Sequence, residues 1–207
     1  MLRLTLLLTP LLLLLLALPL AWIHTRPYTA PDIRAILAPD GCPAPCWQTI
    51  RAGSTRLAEA EARLHQHPWI AADDPFVSDI SPDSGLIRMN WGWSGAQPTY
   101  VDAAEPGRLR GAGGFVEQID IETTFAFGDL WLQLGPPDGL LDAGQRGTYQ
   151  ALWYRDFTVT LRTPLDCARF WHQPVRLEFA VYRSDPRIYA VPYAVARMQA
   201  LACQARP

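Results

Sequence analysis

Four cysteines, two near-neighbour histidines and one strand-like run with three acidic residues are the groups in this chain whose types and spacing could do chemistry. Cys42 and Cys46 lie in "DGCPAPCWQTIRAG", residues 40–53, each with a proline as its inner neighbour, while Cys167 and Cys203 stand apart. A lipid-attachment cysteine would follow an apolar leader directly, and Cys42 lies far downstream of one. Structural zinc wants closely spaced cysteine pairs or cysteine with paired histidines, and no histidine flanks Cys42. A redox pair would be C-x-x-C opening a helix whose N–H groups stabilise the thiolate. Here the spacing is one residue longer and the prolines hinder helix entry. Cys42, Cys46, Cys167 and Cys203 are therefore expected in disulfides, as an even cysteine count implies in an oxidising compartment. A polyproline-like 42–46 segment would hold its cysteine Cα atoms about 12 Å apart at ~3.1 Å per residue, beyond the roughly 7 Å reach of a bridge. A local Cys42–Cys46 bond beside Cys167–Cys203 thus requires a bend. The alternative ties one motif cysteine to Cys167 over long range.

His65 and His67, in "HQHPW", could hold a metal with a third ligand, but a polar role at a helix end explains them better. Asp73, Asp74, Asp79 and Asp83 do not follow the spacing of a calcium loop. Glu117, Asp120 and Glu122 fall on one predicted strand, and paired carboxylates can cleave glycosidic bonds. Trp91 and Trp93 could stack on a sugar; sharing a face with Ile87 and Met89, they read better as core. No G-x-S-x-G, H-E-x-x-H or phosphate-cradling loop is present. No catalytic residue, metal or cofactor is assigned.

The basic residues, 18 in number, are all arginine, which removes Schiff-base and P-loop lysine chemistry. Scattered as they are, they read as a solvated surface. A net charge of −2 gives no field for nucleic acid. The N-terminus carries Arg3 and then an uncharged run from Leu4 to Ile23, long enough to cross a bilayer. It lacks a clean small-x-small cleavage site, so residues 1–24 are expected to remain as a membrane anchor rather than leave as a signal peptide. The remainder is then extracytoplasmic.

Elements must position these groups. After a linker at 25–41, "GSTRLAEAEARLHQH" reads as a helix capped by Ser54 or Thr55, with Leu57, Ala60 and Leu64 on one face. "GLIRMNWGW" and "FVEQIDIETT" alternate as strands, and the glycine- and proline-rich stretch between them, residues 96–114, reads as a loop. "FAFGDLWLQLG" reads as a short helix with Leu130 and Leu134 one turn apart. "GTYQALWYRD", "FTVTLRTP" and "VRLEFAVYRSD" alternate again, as antiparallel strands with one dry and one wet face do. The tail fits a helix or a strand. Gly85 to Trp91 and Gly147 to Trp153 repeat one offset, which suggests a diverged tandem duplication with units at 42–124 and 125–207.

"CPAPCWQTIRAGSTRLAEAEARLHQHPWI" resembles a group of uncharacterised exported bacterial proteins with a C-x-x-P-C-W…I-x-x-G-x-T segment. A helix opened by glycine and a small hydroxyl residue and ending in L-x-x-x-P also resembles BamE/SmpA-type modules, which the β-lactamase-inhibitor protein carries in tandem. That resemblance implies binding of other proteins through a sheet face and loops, and supplies no catalytic residue. The expectation is an α+β chain of two similar helix-plus-antiparallel-sheet units. It would bind a protein or envelope partner through the wet face and the loops near 95–113 and 138–147. The competing expectations are a carbohydrate-active hydrolase and, more weakly, a thiol-redox protein.

Overall fold

The protein is described by a computed structural model at residues 15, 17–19, 33, 36–37, 41–42, 45–72, 77–80, 85–137, 139–141, 149–154, 157–162, 166–180, 188–189 and 194–204. The chain forms two units, Met1–Ala30 and Pro31–Pro207. In the first, Leu15 and residues 17–19 are helical, with Leu15 and Leu18 exposed. The rest of the expected anchor, and most of the 25–41 linker, lie outside the described residues. No helix among the described residues is long and apolar enough to cross a membrane.

The second unit is α+β. Its elements run β1 (Cys46–Trp47), β2 (Ile50–Arg51), α1 (Leu57–Gln66), β3 (Val77–Ile80), β4 (Ile87–Trp91), β5 (Gly107–Ala112) and β6 (Phe115–Ala126). They continue as α2 (Phe127–Leu134), β7 (Gly139–Leu141), β8 (Tyr149–Tyr154), β9 (Phe157–Arg162), β10 (Pro174–Ala180), β11 (Ile188–Tyr189) and α3 (Ala194–Gln204). β1 and β2 form a small hairpin of their own. The other strands make one 9-stranded sheet in the order β11-β7-β8-β9-β10-β6-β5-β4-β3. All of its pairings are antiparallel.

Alternation dictates which face is dry. Met89 and Trp91, Leu109, Ile119 and Ile121, Val159 and Leu161, and Val175, Leu177 and Phe179 are all buried. Helix α1 adds Leu57, Ala60 and Leu64 to the core, the face its spacing predicts. Its start differs from expectation, because neither Ser54 nor Thr55 caps it. The Leu57 N–H donates instead to the Gly114 carbonyl at 3.0 Å. The Thr55 hydroxyl is engaged elsewhere, accepting the Arg51 N–H at 2.9 Å. Backbone pairing of Gly53 and Thr55 with Val116 moors the helix to the head of β6, and the Gly114 carbonyl satisfies its first donor without a side chain.

The expected loop at 96–114 contains β5. Its glycines mislead, because here they serve close approach rather than a turn: Gly107 lies under the Trp91 ring, and a Cβ there would stand inside it. Helix α2 begins one residue before Gly128, directly from β6, and buries Phe127 and Leu130, whereas Leu134 is exposed. The tail is a helix, α3.

Candidate functional site

The cysteines form two bonds, Cys42 with Cys46 and Cys167 with Cys203, at Cα separations of 5.9 and 4.6 Å. The first separation is about half that of an extended segment and within reach of the local bridge. This bridge leads into a two-residue hairpin in which Trp47 pairs with Ile50. The connecting residues Gln48 and Thr49 take φ of 47° and 64°. A two-residue hairpin demands left-handed residues, and glycine or asparagine usually supplies them. A β-branched threonine there is strained by of order 1–3 kcal/mol. Neighbours hold it: the Arg63 guanidinium donates to the Thr49 carbonyl, and Gln48 Oε1 meets His67 Nε2 at 3.2 Å. Burial lowers the His67 pKa.

Trp47 is buried and stacks on Trp91 at 5.7 Å, with Trp93 edge-on to both. The Trp93 indole N–H is spent on the Glu105 carbonyl at 2.8 Å. These rings form an internal cluster joining the hairpin to β4, which explains their spacing without a sugar. His65 is exposed and His67 half-buried against Trp69. Asp73, Asp74 and Asp83 lie outside the described residues, as does most of the 138–147 loop.

The polar face of the sheet gathers more chemistry than any single motif. Antiparallel register sets Arg88 against Arg110 and Asn90 against Arg108. It then sets Arg108 against Asp120 and Arg110 against Gln118, and Asp120 against Glu178 and Glu122 against Arg176. Glu178 faces Thr158, and Arg176 faces Thr160. Arg88, Asn90, Arg108, Arg110, Asp120 and Glu178 are among the residues lining a groove of about 400 Å³ on this face, within the size range of small-ligand sites.

This face is drier than expected. Gln118, Asp120, Thr158, Thr160 and Arg176 are all buried, so their polar groups require partners. The Arg176 Nε–H donates to Glu122 at 2.6 Å, and Arg108 stands 3.3 Å from Glu105 and 3.8 Å from Glu122. The Arg110 guanidinium donates to the Gln118 carbonyl, and the Gln118 amide to Asp120. Thr160 donates to Glu178 at 2.6 Å. Burial raises the Asp120 pKa, opposed by the Gln118 hydrogen bond and the positive charges of Arg110, Arg176 and Arg108. Glu117 is exposed and falls at the register shift between β5 and β6, outside the groove lining.

Of the acidic residues singled out on β6, the groove thus takes Asp120, with Glu122 beside it through Arg176. The arginines were missed as a group, because one-sequence reading treats scattered charge as surface. The signal lay in the alternation of "IRMNW" and "GRLRGA", which puts Arg88, Arg108 and Arg110 on the polar face once 107–112 is read as a strand. No family model, curated protein or solved structure matches this chain.

Proposed function

We propose that the chain is a non-catalytic binding module. It works outside the cytoplasm, held by its apolar N-terminus, and engages a protein partner of the cell envelope through the polar sheet face. The observation that carries this reading is the bonding state of the groove. Its acids are committed within the sheet: Asp120 to Gln118, Glu178 to Thr160, and neighbouring Glu122 to Arg176. Meanwhile Arg88 stands exposed at the groove. A face whose acids are structural and which still presents the exposed Arg88 suits recognition better than proton transfer. The two disulfides fit an oxidising compartment.

The element order supports a tandem origin. A helix and four strands (α1, β3–β6) are followed by a helix and four strands (α2, β7–β10), and the two sets abut through their last strands, β6 and β10. The division expected at 124/125 falls two residues before the end of β6. The resemblance to tandem BamE/SmpA-type modules implies two comparable units, and it is on that reading that we take the element order as a trace of duplication.

A photo-reactive residue at Asn90 should capture one defined partner in the native envelope, and the same residue at exposed Ala62 on α1 should not. Equal labelling from both positions, or none, would sink the assignment of this face. One observation favours hydrolysis as a second reading: Asp120, with its raised pKa, is in register with Glu178. Cleavage of an envelope polysaccharide that disappears in Glu178→Gln would replace the binding reading.

A further inference from the structure

The groove's charges are not evenly compensated, and the imbalance has a place. Arg176 is matched by Glu122, and Arg108 by Glu105 and Glu122. At the β4–β5 end the pattern changes. Arg88 and Arg110 are direct cross-strand partners on one face, an arrangement in which like charges repel. Arg110 donates to the neutral amide of Gln118, and the acid its charge acts on, Asp120, is shared with Arg176 and Arg108. No hydrogen bond or ion pair reaches Arg88 among the described residues, and the backbone register places Asp79 of β3 on its other side. Asn90, one step along the same face of β4, completes a rim of donors at the groove.

We propose that Arg88 and Arg110 form a clamp for a carboxylate carried by the partner, so that the polar face recognises an acidic segment of a protein. Two guanidiniums across a strand pair present planar forks of N–H donors, the geometry that carboxylates accept in pairs. A carboxylate between them also removes their mutual repulsion. The rest of the groove confines the guest. Asp120 and Glu178 lie on the next strands of the same cavity, so an anion is held to the β4–β5 end, and one that spread further along the groove would meet their charge. This inference rests on the binding reading and adds to it the chemistry of the guest.

The test uses the full-length chain in detergent micelles, with fluorescently labelled tetraglutamate and tetraglutamine peptides read by anisotropy. Tetraglutamate should bind, more weakly as salt rises, and tetraglutamine should not. Arg88→Gln and Arg110→Gln should each weaken binding by about tenfold or more, while Arg51→Gln, exposed on the hairpin and not part of the groove lining, leaves it unchanged. Arg88→Gln lies on an exposed position, so its melting temperature should match the parent chain and keep the result interpretable. Three results would overturn the clamp: no discrimination between the peptides, displacement of tetraglutamate by less inorganic phosphate than N-acetylglutamate, or an affinity loss in Asp79→Asn equal to that in Arg88→Gln. Capture of a partner from Asn90 without tetraglutamate binding removes the carboxylate assignment alone. Absence of both removes the binding face as well.

Discussion

Asp120 shows how much one residue's setting departs from what its type suggests. On an alternating strand it reads as a wet-face carboxylate, yet it is 8% exposed and surrounded by three guanidiniums and an amide. Burial raises its pKa above the usual 3.8, so the folded chain holds this proton more tightly than the unfolded chain does. Its contribution to stability is therefore fully present below the unfolded value and is lost as pH rises through the folded one. Asp120→Asn, which keeps an acceptor for Gln118, should flatten that part of the profile. Urea midpoints from about pH 3.5 to 7 should show the parent chain falling relative to the variant as pH increases, and parallel profiles would refute the assignment. His67 has the opposite sign, since a histidine pKa lowered by burial costs stability as pH falls. Residue identity made the four cysteines legible as staples. It could not make Arg88 and Arg110 legible as a pair, because their meeting depends on the β4–β5 register.

Among the elements, the two bridges do different work. Cys42–Cys46 closes a span of 4 residues ahead of the strained hairpin, whereas Cys167–Cys203 closes a span of 36 and ties the segment before β10 to α3. Loop-closure entropy assigns about 2 kcal/mol to the short span and about 4 kcal/mol to the long one. Replacing both cysteines of a pair by alanine should lower the denaturation midpoint more for 167/203 than for 42/46. The reverse order would show that the hairpin's geometry, not chain entropy, dominates. Helix α1 was legible from Leu57, Ala60 and Leu64, but its cap was not: the acceptor is the Gly114 carbonyl, 57 positions away, which no local pattern announces. Strand β5 was hidden for a related reason, since its glycines make room for Trp91 and Leu57, partners that are remote in sequence.

For the whole molecule, alternation revealed an antiparallel α+β fold but not the order of its strands. Period-2 patterning fixes which face each strand buries, while neighbours are chosen by packing between distant segments. The central pairing joins β6 to β10, with α2 and three strands intervening in sequence. Amides of β5, β6, β9 and β10 should exchange slowest with solvent deuterium, and those of β3 and β11, each paired on one side only, fastest. Uniform protection across the sheet would contradict this gradient. The same seam governs how the protein is made. As the chain emerges from its N-terminus, β3 to β6 can assemble first, leaving one edge of the 12-residue β6 without a neighbour until β10 arrives. An unpaired strand edge of that length invites pairing with other chains. Nascent chains stalled before residue 174 are thus the form of this protein most exposed to aggregation, and the stage at which a chaperone would matter most.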